Sequence, residues 1–178
     1  MDFFQMLIFN SILFQLGVPK GNVLFTLTKS KALTEAAAGC GGWAHIQPGQ
    51  HHTLALDAAG NVHALGRVEY GRLGLGNQRE TDASEPIQVG GALEGKKCID
   101  VSCGTAVSFA VTERGECFSW GMGTNGQLGH ADEEDAWEPG KMLGKQLEQR
   151  KVMAVSGGGQ HTVLIAQEDS ASAVGTAQ

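Results

Sequence analysis

The sequence predicts an all-β fold, a partial β-propeller of two blades plus the start of a third. The segments GQHHTLALDAAGNVHALGRVEYGRLGLG from Gly49 and GTAVSFAVTERGECFSWGMGTNGQLG from Gly104 repeat the same pattern at an offset of 55 residues. Each contains short apolar runs that end in glycine-containing turns, which indicates strands rather than helices. A repeat of roughly fifty residues with several short strands is typical of a propeller blade.

Composition agrees with this fold class. The chain has 178 residues, of which 42% are hydrophobic, enough to form a core. It contains 26 Gly and 4 Pro, about twice the usual share of glycine, which predicts many tight turns. The formal net charge of −6 excludes a general electrostatic attraction to nucleic acid or to an anionic membrane. Any contact with DNA would need a local basic patch.

The segment 1–43 is apolar and shows no register with the repeats. Its apolar run is shorter than the roughly 20 residues needed to span a bilayer. Asp2 is the only charged residue before Lys20, so the positive start of a secretory signal is missing. We expect an amphipathic helix or a strand pair that packs on the first blade, and a membrane or signal role is the alternative. The apolar run is interrupted by Gln5, Asn10, Ser11 and Gln15.

Two complete repeats follow, at 44–98 and 99–152. In each, a strand (HTLALD or VSFAVT), a turn (AAG or ERG) and a second strand (NVHALG or ECFSWG) predict a hairpin. A Gly-x-Leu-Gly motif and an acidic loop lead from each hairpin to an edge strand. The matched pairs are Gly49 with Gly104, Ala55 with Ala110, Gly60 with Gly115, Gly66 with Gly121, Gly71 with Gly126, Leu73 with Leu128 and Gly74 with Gly129.

A third repeat opens at 153–166. MAVSGGGQHTVLI from Met153 aligns with IDVSCGTAVSFAV from Ile99 at an offset of 54 residues. We expect residues 167–178 to form a flexible tail. A blade must bury its flanks on its neighbours, and propellers close with about four to eight blades. The sequence therefore predicts an incomplete form of a ring, or a chain that pairs with other copies.

The cysteines indicate buried, reduced thiols. They form no Cys-x-x-Cys motif and have no histidine pair at zinc-ligand spacing, which fits an intracellular protein. No catalytic residue, cofactor or metal site is predicted. An enzyme or metal protein that uses the cysteines with His45, His51 and His52 is an alternative, which metal analysis would test. The cysteines are Cys40, Cys98, Cys103 and Cys117.

The repeats resemble a known family. GQHHTLALDAAGNVHALGRVEYGRLGLG, FSWGMGTNGQLG, DEEDAWEPGKMLGKQLEQR and SGGGQHTVL together resemble the C-terminal part of the regulator of chromosome condensation family, over about Trp43 to Ile165. Members are exchange factors for the small GTPase Ran. The resemblance implies a seven-bladed propeller, nuclear and chromatin-associated, which grips Ran on one face of the ring. It also implies that the nucleotide site is emptied by binding, without covalent chemistry.

The same resemblance implies the partners. They are Ran and, for the full-length family, chromatin through histones and DNA, with roles in nuclear transport and mitosis. No membrane partner and no cofactor are expected. The alternative is a general propeller-type interaction module without exchange activity, of the kind carried within a larger ligase or inhibitor.

Three histidines are the main candidates for the Ran-binding face. Equivalent positions in successive blades emerge on the same face of a propeller. The resemblance implies that histidines preceded by Gly-Gln take part in binding and exchange, which indicates His51 and His161, with His52 as a third candidate. The alternative is that these imidazoles bond backbone groups between blades. Packing does not demand histidine, because the intervening repeat has Ala106 and Val107 there.

Four further residues are weaker partner candidates: Arg67, Arg72, Asp135 and Trp137. The two arginines lie in the loop of the first blade, and the other two lie in the matching acidic loop of the second. The acidic run 132–135 would steer association with a basic partner, or is a solvated loop. Trp120 is expected to pack between blades.

Overall fold

The computed structural model describes residues 7–8, 28–76 and 79–169. Two four-stranded antiparallel sheets and a two-stranded sheet follow one another along the chain, which confirms the all-β prediction. The first sheet contains β3 (Trp43–Pro48), β4 (His52–Asp57), β5 (Val62–Gly66) and β6 (Ala83–Gln88). The second contains β7 (Cys98–Cys103), β8 (Val107–Thr112), β9 (Cys117–Gly121) and β10 (Ala136–Lys141), and the third contains β11 (Arg150–Gly157) and β12 (Thr162–Glu168).

The central hairpin of each four-stranded sheet depends on a glycine in a left-handed conformation. Gly60 has φ 91° and Gly115 has φ 80°, values that residues with a side chain rarely adopt. The two glycine N–H groups donate to the carbonyls of Asp57 (3.0 Å) and Thr112 (2.9 Å) and so close the two turns. The same turn chemistry therefore produces the same hairpin in both repeats.

A register shift marks the first strand of each of the three sheets from Trp43 onward. It lies between Trp43 and His45 in β3, between Cys98 and Asp100 in β7, and in β11 after Val152. Such a bulge bends the strand and increases its twist. Because the shift recurs at the matching place, the two-stranded sheet has the architecture of the opening half of a blade.

The core lies between the sheets. One cluster of buried side chains joins the first sheet to the second, and another joins the second to the third. Every residue of β4 and of β8 is buried, so both faces of these strands pack. Trp120 is 0% exposed and lies in the first cluster, which confirms its predicted packing role.

A helix precedes the first blade. α1 (Lys31–Cys40) begins after Ser30, whose hydroxyl oxygen accepts a hydrogen bond from the Leu33 N–H at 3.3 Å. Leu33 is buried, and its carbonyl accepts a hydrogen bond from the Trp43 indole N–H at 2.8 Å. These contacts attach the helix to β3. Before it, β1 (Leu7–Ile8) pairs antiparallel with β2 (Thr28–Lys29).

Parts of the two terminal predictions lie outside the described residues. The segment 1–43 is described at 7–8 and from 28 onward. Within 167–178, for which we expected a tail, β12 continues to Glu168, and positions 170–178 lie outside the described residues. In the part of the chain that the structure describes, no helix has the length and apolar character that crossing a membrane requires.

All four cysteines are free thiols. Burial raises the pKa of Cys98 to about 11 and that of Cys117 to about 12, and it raises the pKa of Cys103 further. These three buried thiols are therefore protonated at neutral pH. Cys40, at the end of α1, is half-buried.

Candidate partner-binding face

One end of the stacked sheets carries all the predicted site residues. In the first sheet, the turn 49–51 and the loop 67–82 leave from the same end, because His52 pairs with Gly66. In the second sheet the corresponding segments are 104–106 and 122–135, and in the third the segment is 158–161. We refer to the described residues of these five segments, with the adjoining start of β10, as the loop face.

The turns of the loop face have a common geometry. The N–H of Gly49 donates to the carbonyl of His52 at 2.8 Å, and Gly158 makes the matching bond to His161 at 2.9 Å. His161 is therefore the structural counterpart of His52, and Val107 holds this place in the second sheet. Gly-Gln precedes both His51 and His161 in the sequence, but the two histidines lie at different positions of their turns. The distance from the glycine that closes the turn, and not the Gly-Gln pair, sets the position.

His52 is not available to a partner, contrary to our prediction. It is 0% exposed, and its Nε2 lies 2.7 Å from the hydroxyl oxygen of Ser108 on β8. The Ser108 hydroxyl donates in turn to the carbonyl of Arg72 at 2.7 Å, and the Trp120 indole N–H donates to the same carbonyl at 3.0 Å. Burial, with a smaller contribution from Arg72, lowers the pKa of His52 to about 3. His52 is thus a neutral residue that joins two sheets.

Arg72 also fails as a surface contact, because it is only 2% exposed. Its Nε donates to the carbonyl of Glu69 at 2.8 Å, and its guanidinium lies 5.4 Å from the centre of the Tyr70 ring. The side chain therefore folds back beneath its own loop. Its positive charge contributes to the lowered pKa values of His51 and His52.

His51 and Arg67 lie together on the loop face. The Arg67 N–H donates to the carbonyl of His51 at 3.0 Å, and the Arg67 side chain is exposed. His51 is half-buried, and its Nδ1 has no hydrogen-bond partner within the described protein. Burial, followed by the charges of Arg72 and Arg67, lowers the pKa of His51. At neutral pH this side chain is an uncharged imidazole beside two cations.

His161 is exposed, although it occupies the place at which His52 is buried. Its ring packs on Gly158, where an added Cβ would lie 2.7 Å from the ring Cε1. Within the described residues, no further sheet lies over β12 in the way that the second sheet lies over His52. The burial of this position therefore depends on a neighbouring sheet.

Asp135 and Trp137 stabilise the loops as well as bordering the face. An oxygen of the Asp135 carboxylate accepts a hydrogen bond from the Gly123 N–H at 2.9 Å, which joins the two ends of the loop 122–135. The carbonyl of Trp137 accepts one from Gly76 at 3.0 Å. Both side chains are half-buried. The neighbouring acidic residues 132–134 are exposed and form a negative border.

The sequence interpretation missed Tyr70, an exposed aromatic residue of the loop face with positive φ. It is 48% exposed and has φ 61°, and Ala131 is the other described non-glycine residue with positive φ. A bulky residue in this region is strained, and strained residues cluster at functional sites.

These observations define a class of protein. Sequence repeats form four-stranded antiparallel sheets that stack through buried faces and present their loops at one end, as in a β-propeller. The sequence matches the "Regulator of chromosome condensation (RCC1) repeat" at residues 59–111 and 114–165, together more than half of the chain. The chain therefore belongs to the RCC1-repeat family.

Curated relatives carry the same repeat. The chain is 45% identical to the human "Regulator of chromosome condensation" over 161 residues, which are 89% of this chain and 36% of the human protein. It is 49% identical to the Xenopus laevis protein over 128 residues, 72% of this chain and 29% of that protein. It is also 34% identical to the human "E3 ubiquitin-protein ligase HERC2" over 125 residues, 70% of this chain and 2% of the ligase. The chain thus spans about a third of the length of the regulators of chromosome condensation.

Solved structures confirm the propeller fold. Prp20p from Saccharomyces cerevisiae, reported with its binding properties to Gsp1p and histones, superimposes with a TM-score of 0.71 at 21% identity. The match covers 89% of this chain and 39% of the yeast chain. Human WBSCR16 superimposes with a TM-score of 0.73 at 22% identity. This match covers 88% of this chain and 38% of the WBSCR16 chain. The chain is therefore a part of a propeller of this kind.

Proposed function

We propose that this chain is part of a guanine nucleotide exchange factor for the small GTPase Ran, and that the loop face contacts Ran. The observation that carries the proposal is the 45–49% identity to regulators of chromosome condensation in human, mouse and Xenopus. His51, Arg67 and His161 on the loop face are the proposed contacts. Tyr70 extends this surface, with Asp135 and Trp137 at its border.

Exchange of this kind is a matter of relative affinities. The factor binds the nucleotide-free GTPase more tightly than the nucleotide-bound form. Bound nucleotide therefore lowers the affinity of the GTPase for the factor by the same ratio. The more abundant nucleotide then refills the site and sets the direction. No bond is made or broken, and the factor needs neither a nucleophile nor a phosphate loop. It needs a surface complementary to the empty GTPase.

The charge distribution of the loop face is compatible with binding a GTPase. His51 is uncharged at neutral pH, since its pKa is lowered, so covering this side chain with a partner would not desolvate a charge. Arg67 supplies an exposed cation beside it. The exposed acidic residues 132–134 would steer association with a basic surface of the partner.

The proposed setting is the nucleus, in association with chromatin, with roles in nuclear transport and mitosis. Support comes from the names of the relatives and from the yeast structure, which is described with its binding to histones. The chain's net charge is −6, so contact with DNA would depend on a local patch or on parts of a longer protein.

A second candidate function is an interaction module without exchange activity. It is favoured by the 34% identity to HERC2, named a ubiquitin-protein ligase, within which the matched repeats make up 2% of the length. In that case the loop face would bind a different partner.

Two measurements separate the candidates: the affinity for nucleotide-free Ran, and the release of a fluorescent GDP analogue from Ran. We expect His51→Ala and His161→Ala each to weaken binding by about 10-fold or more, as for contacts near the centre of an interface. Melting temperatures should be nearly unchanged. Lys145→Ala is the control, because this exposed lysine lies in the loop 142–149 at the opposite end of the sheets.

The outcomes are distinct. No binding to nucleotide-free Ran, or binding without accelerated release, favours the interaction module. A loss of stability in either histidine variant would make that histidine a structural residue. Equal loss of binding in Lys145→Ala would remove the loop face as the contact surface.

A further inference from the structure

A cluster of three side chains of different chemistry lies outside the loop face. The thiol of Cys40, the carboxylate of Asp57 and the imidazole of His63 each place one potential ligand atom within 4.8 Å of the others. Asp57 ends β4, His63 lies in β5, and Cys40 is the last residue of α1. In the described residues this is the one group of three or more such side chains that could surround a metal ion.

The donor set matches zinc. Zn²⁺ binds cysteine sulfur, histidine nitrogen and carboxylate oxygen, usually with four ligands in a tetrahedron, and three protein ligands leave one position for water. Ca²⁺ and Mg²⁺ prefer sets made of oxygen and do not favour a thiolate. Loss of the Cys40 proton would give a thiolate and a carboxylate around a divalent cation, which makes the site neutral overall.

Two of the ligands are held in place. The Asp57 carboxylate accepts hydrogen bonds from the backbone N–H of Ala59 at 2.9 Å and of Asn61 at 2.8 Å. The His63 ring packs edge-on against Trp43, with 5.1 Å between ring centres, and its Nε2 lies 3.0 Å from the Asp57 carboxylate. The two backbone hydrogen bonds orient the carboxylate, as supporting bonds do for metal ligands, whereas zinc bound by both side chains would replace the direct bond between Asp57 and His63.

The third proposed ligand, the Cys40 thiol, makes no short hydrogen bond with the described residues. Among the described residues, the Cys40 thiol has only long contacts, 3.8 Å each, with the carbonyls of Ala37 and Gly42. Gly41, with φ 78°, ends the helix directly after Cys40 and turns the chain into β3. The thiol is half-buried, so a small ion can reach it.

The second repeat provides an internal comparison. At the positions of Asp57 and His63 it has Thr112 and Phe118. The Thr112 hydroxyl accepts the Glu116 N–H at 3.2 Å and so supports the same turn without a carboxylate. The hairpin therefore requires neither the aspartate nor the histidine of the first repeat.

From this geometry we propose that Cys40, Asp57 and His63 form a zinc-binding site that joins α1 to the first blade. Binding releases one proton from the Cys40 thiol as the sulfur–zinc bond forms. Zinc would then fix the helix against the β4–β5 hairpin. The site is independent of the loop face and of any exchange activity.

The test is metal titration of the complete 178-residue chain after treatment with a chelator. We expect one Zn²⁺ per chain, a rise in melting temperature, and with Co²⁺ a thiolate-to-metal absorption band. That band reports on Cys40, since the other three cysteines are buried and protonated at neutral pH. Cys40→Ser and His63→Phe should each weaken zinc binding by more than about 100-fold, beyond the 10- to 100-fold cost of losing a supporting residue. His45→Gln, at an exposed histidine of β3, is the matched control and should bind zinc normally.

Either of two results would overturn the proposal: no thiolate-to-cobalt band in the parent chain, or zinc affinity equal in Cys40→Ser and in the control. Asp57 and His63 would then form only a hydrogen-bonded pair within the hairpin. Circular dichroism of the metal-free variants separates loss of a ligand from loss of the fold. The absorption band of the parent chain decides the question even if a variant does not fold.

Discussion

Replacing His52 with valine should reduce the sensitivity of this protein to acid. The histidine is completely buried between two sheets, next to Ser108 and the charge of Arg72. Its pKa is about 3 in the folded chain, against an ordinary value of 6.5. Because protonation is easier in the unfolded chain, the protein loses stability as the pH falls below about 6.5, and the loss continues towards pH 3.

The size of the effect follows from these two values. With pKa values of 6.5 unfolded and about 3 folded, the free energy of unfolding falls by about 2 kcal/mol between about pH 7.5 and about pH 5. His52→Val removes this contribution. Near pH 7.5 the variant should be about 1–2 kcal/mol less stable than the parent, because the Ser108 hydroxyl loses a hydrogen-bond partner, although Val107 occupies the same position in the second sheet.

Urea denaturation at both pH values measures the difference directly. His51 also has a lowered pKa, but it is present in both proteins and its contribution largely cancels. His45→Val is the control, because the side chain of His45 is 45% exposed. If His52→Val retains the full acid sensitivity of the parent, the burial of a neutral His52 is not the cause.

Four further substitutions test the packing between sheets, the helix α1 and the ion pairs of Glu116. Gly104→Ala should destabilise the chain by about 1–3 kcal/mol, because the new Cβ would meet a backbone carbonyl of the third sheet. Gly39→Ala in α1, with nothing within 4 Å of the new Cβ, should stabilise by about 0.5–1 kcal/mol. Trp120→Phe should cost about 1–3 kcal/mol, because the indole N–H bond to the carbonyl of Arg72 is lost. Glu116→Gln should cost at most about 1 kcal/mol, and less at high salt, because its two lysine partners are partly exposed.

Thermal and urea melts check these values. A Gly104→Ala variant as stable as the parent would show that the second and third sheets do not meet as closely as the structure places them. An unchanged Trp120→Phe would mean that the indole hydrogen bond contributes nothing net. A large, salt-independent loss in Glu116→Gln would mark that carboxylate as part of the core.

The sequence alone determined the repeat architecture. Neighbouring residues carry this information: Gly60 and Gly115 set the same hairpin turn, and short apolar runs set the strands on either side. The offsets of 55 and 54 residues placed matching residues in matching strands. The end of the sheets at which the site residues lie also followed from sequence, because strand direction fixes where each turn emerges.

Only the tertiary structure decided which of these residues are exposed. His51 and His52 are adjacent, but His51 is the last residue of the turn 49–51 and His52 is the first residue of β4. The second sheet covers one and leaves the other at the surface, so no local pattern distinguishes them. Cys40 and His63 likewise form no motif, since they meet only when α1 packs beside the β4–β5 hairpin. Burial and ligand geometry depend on contacts between elements distant in sequence, whereas strands and turns depend on neighbouring residues.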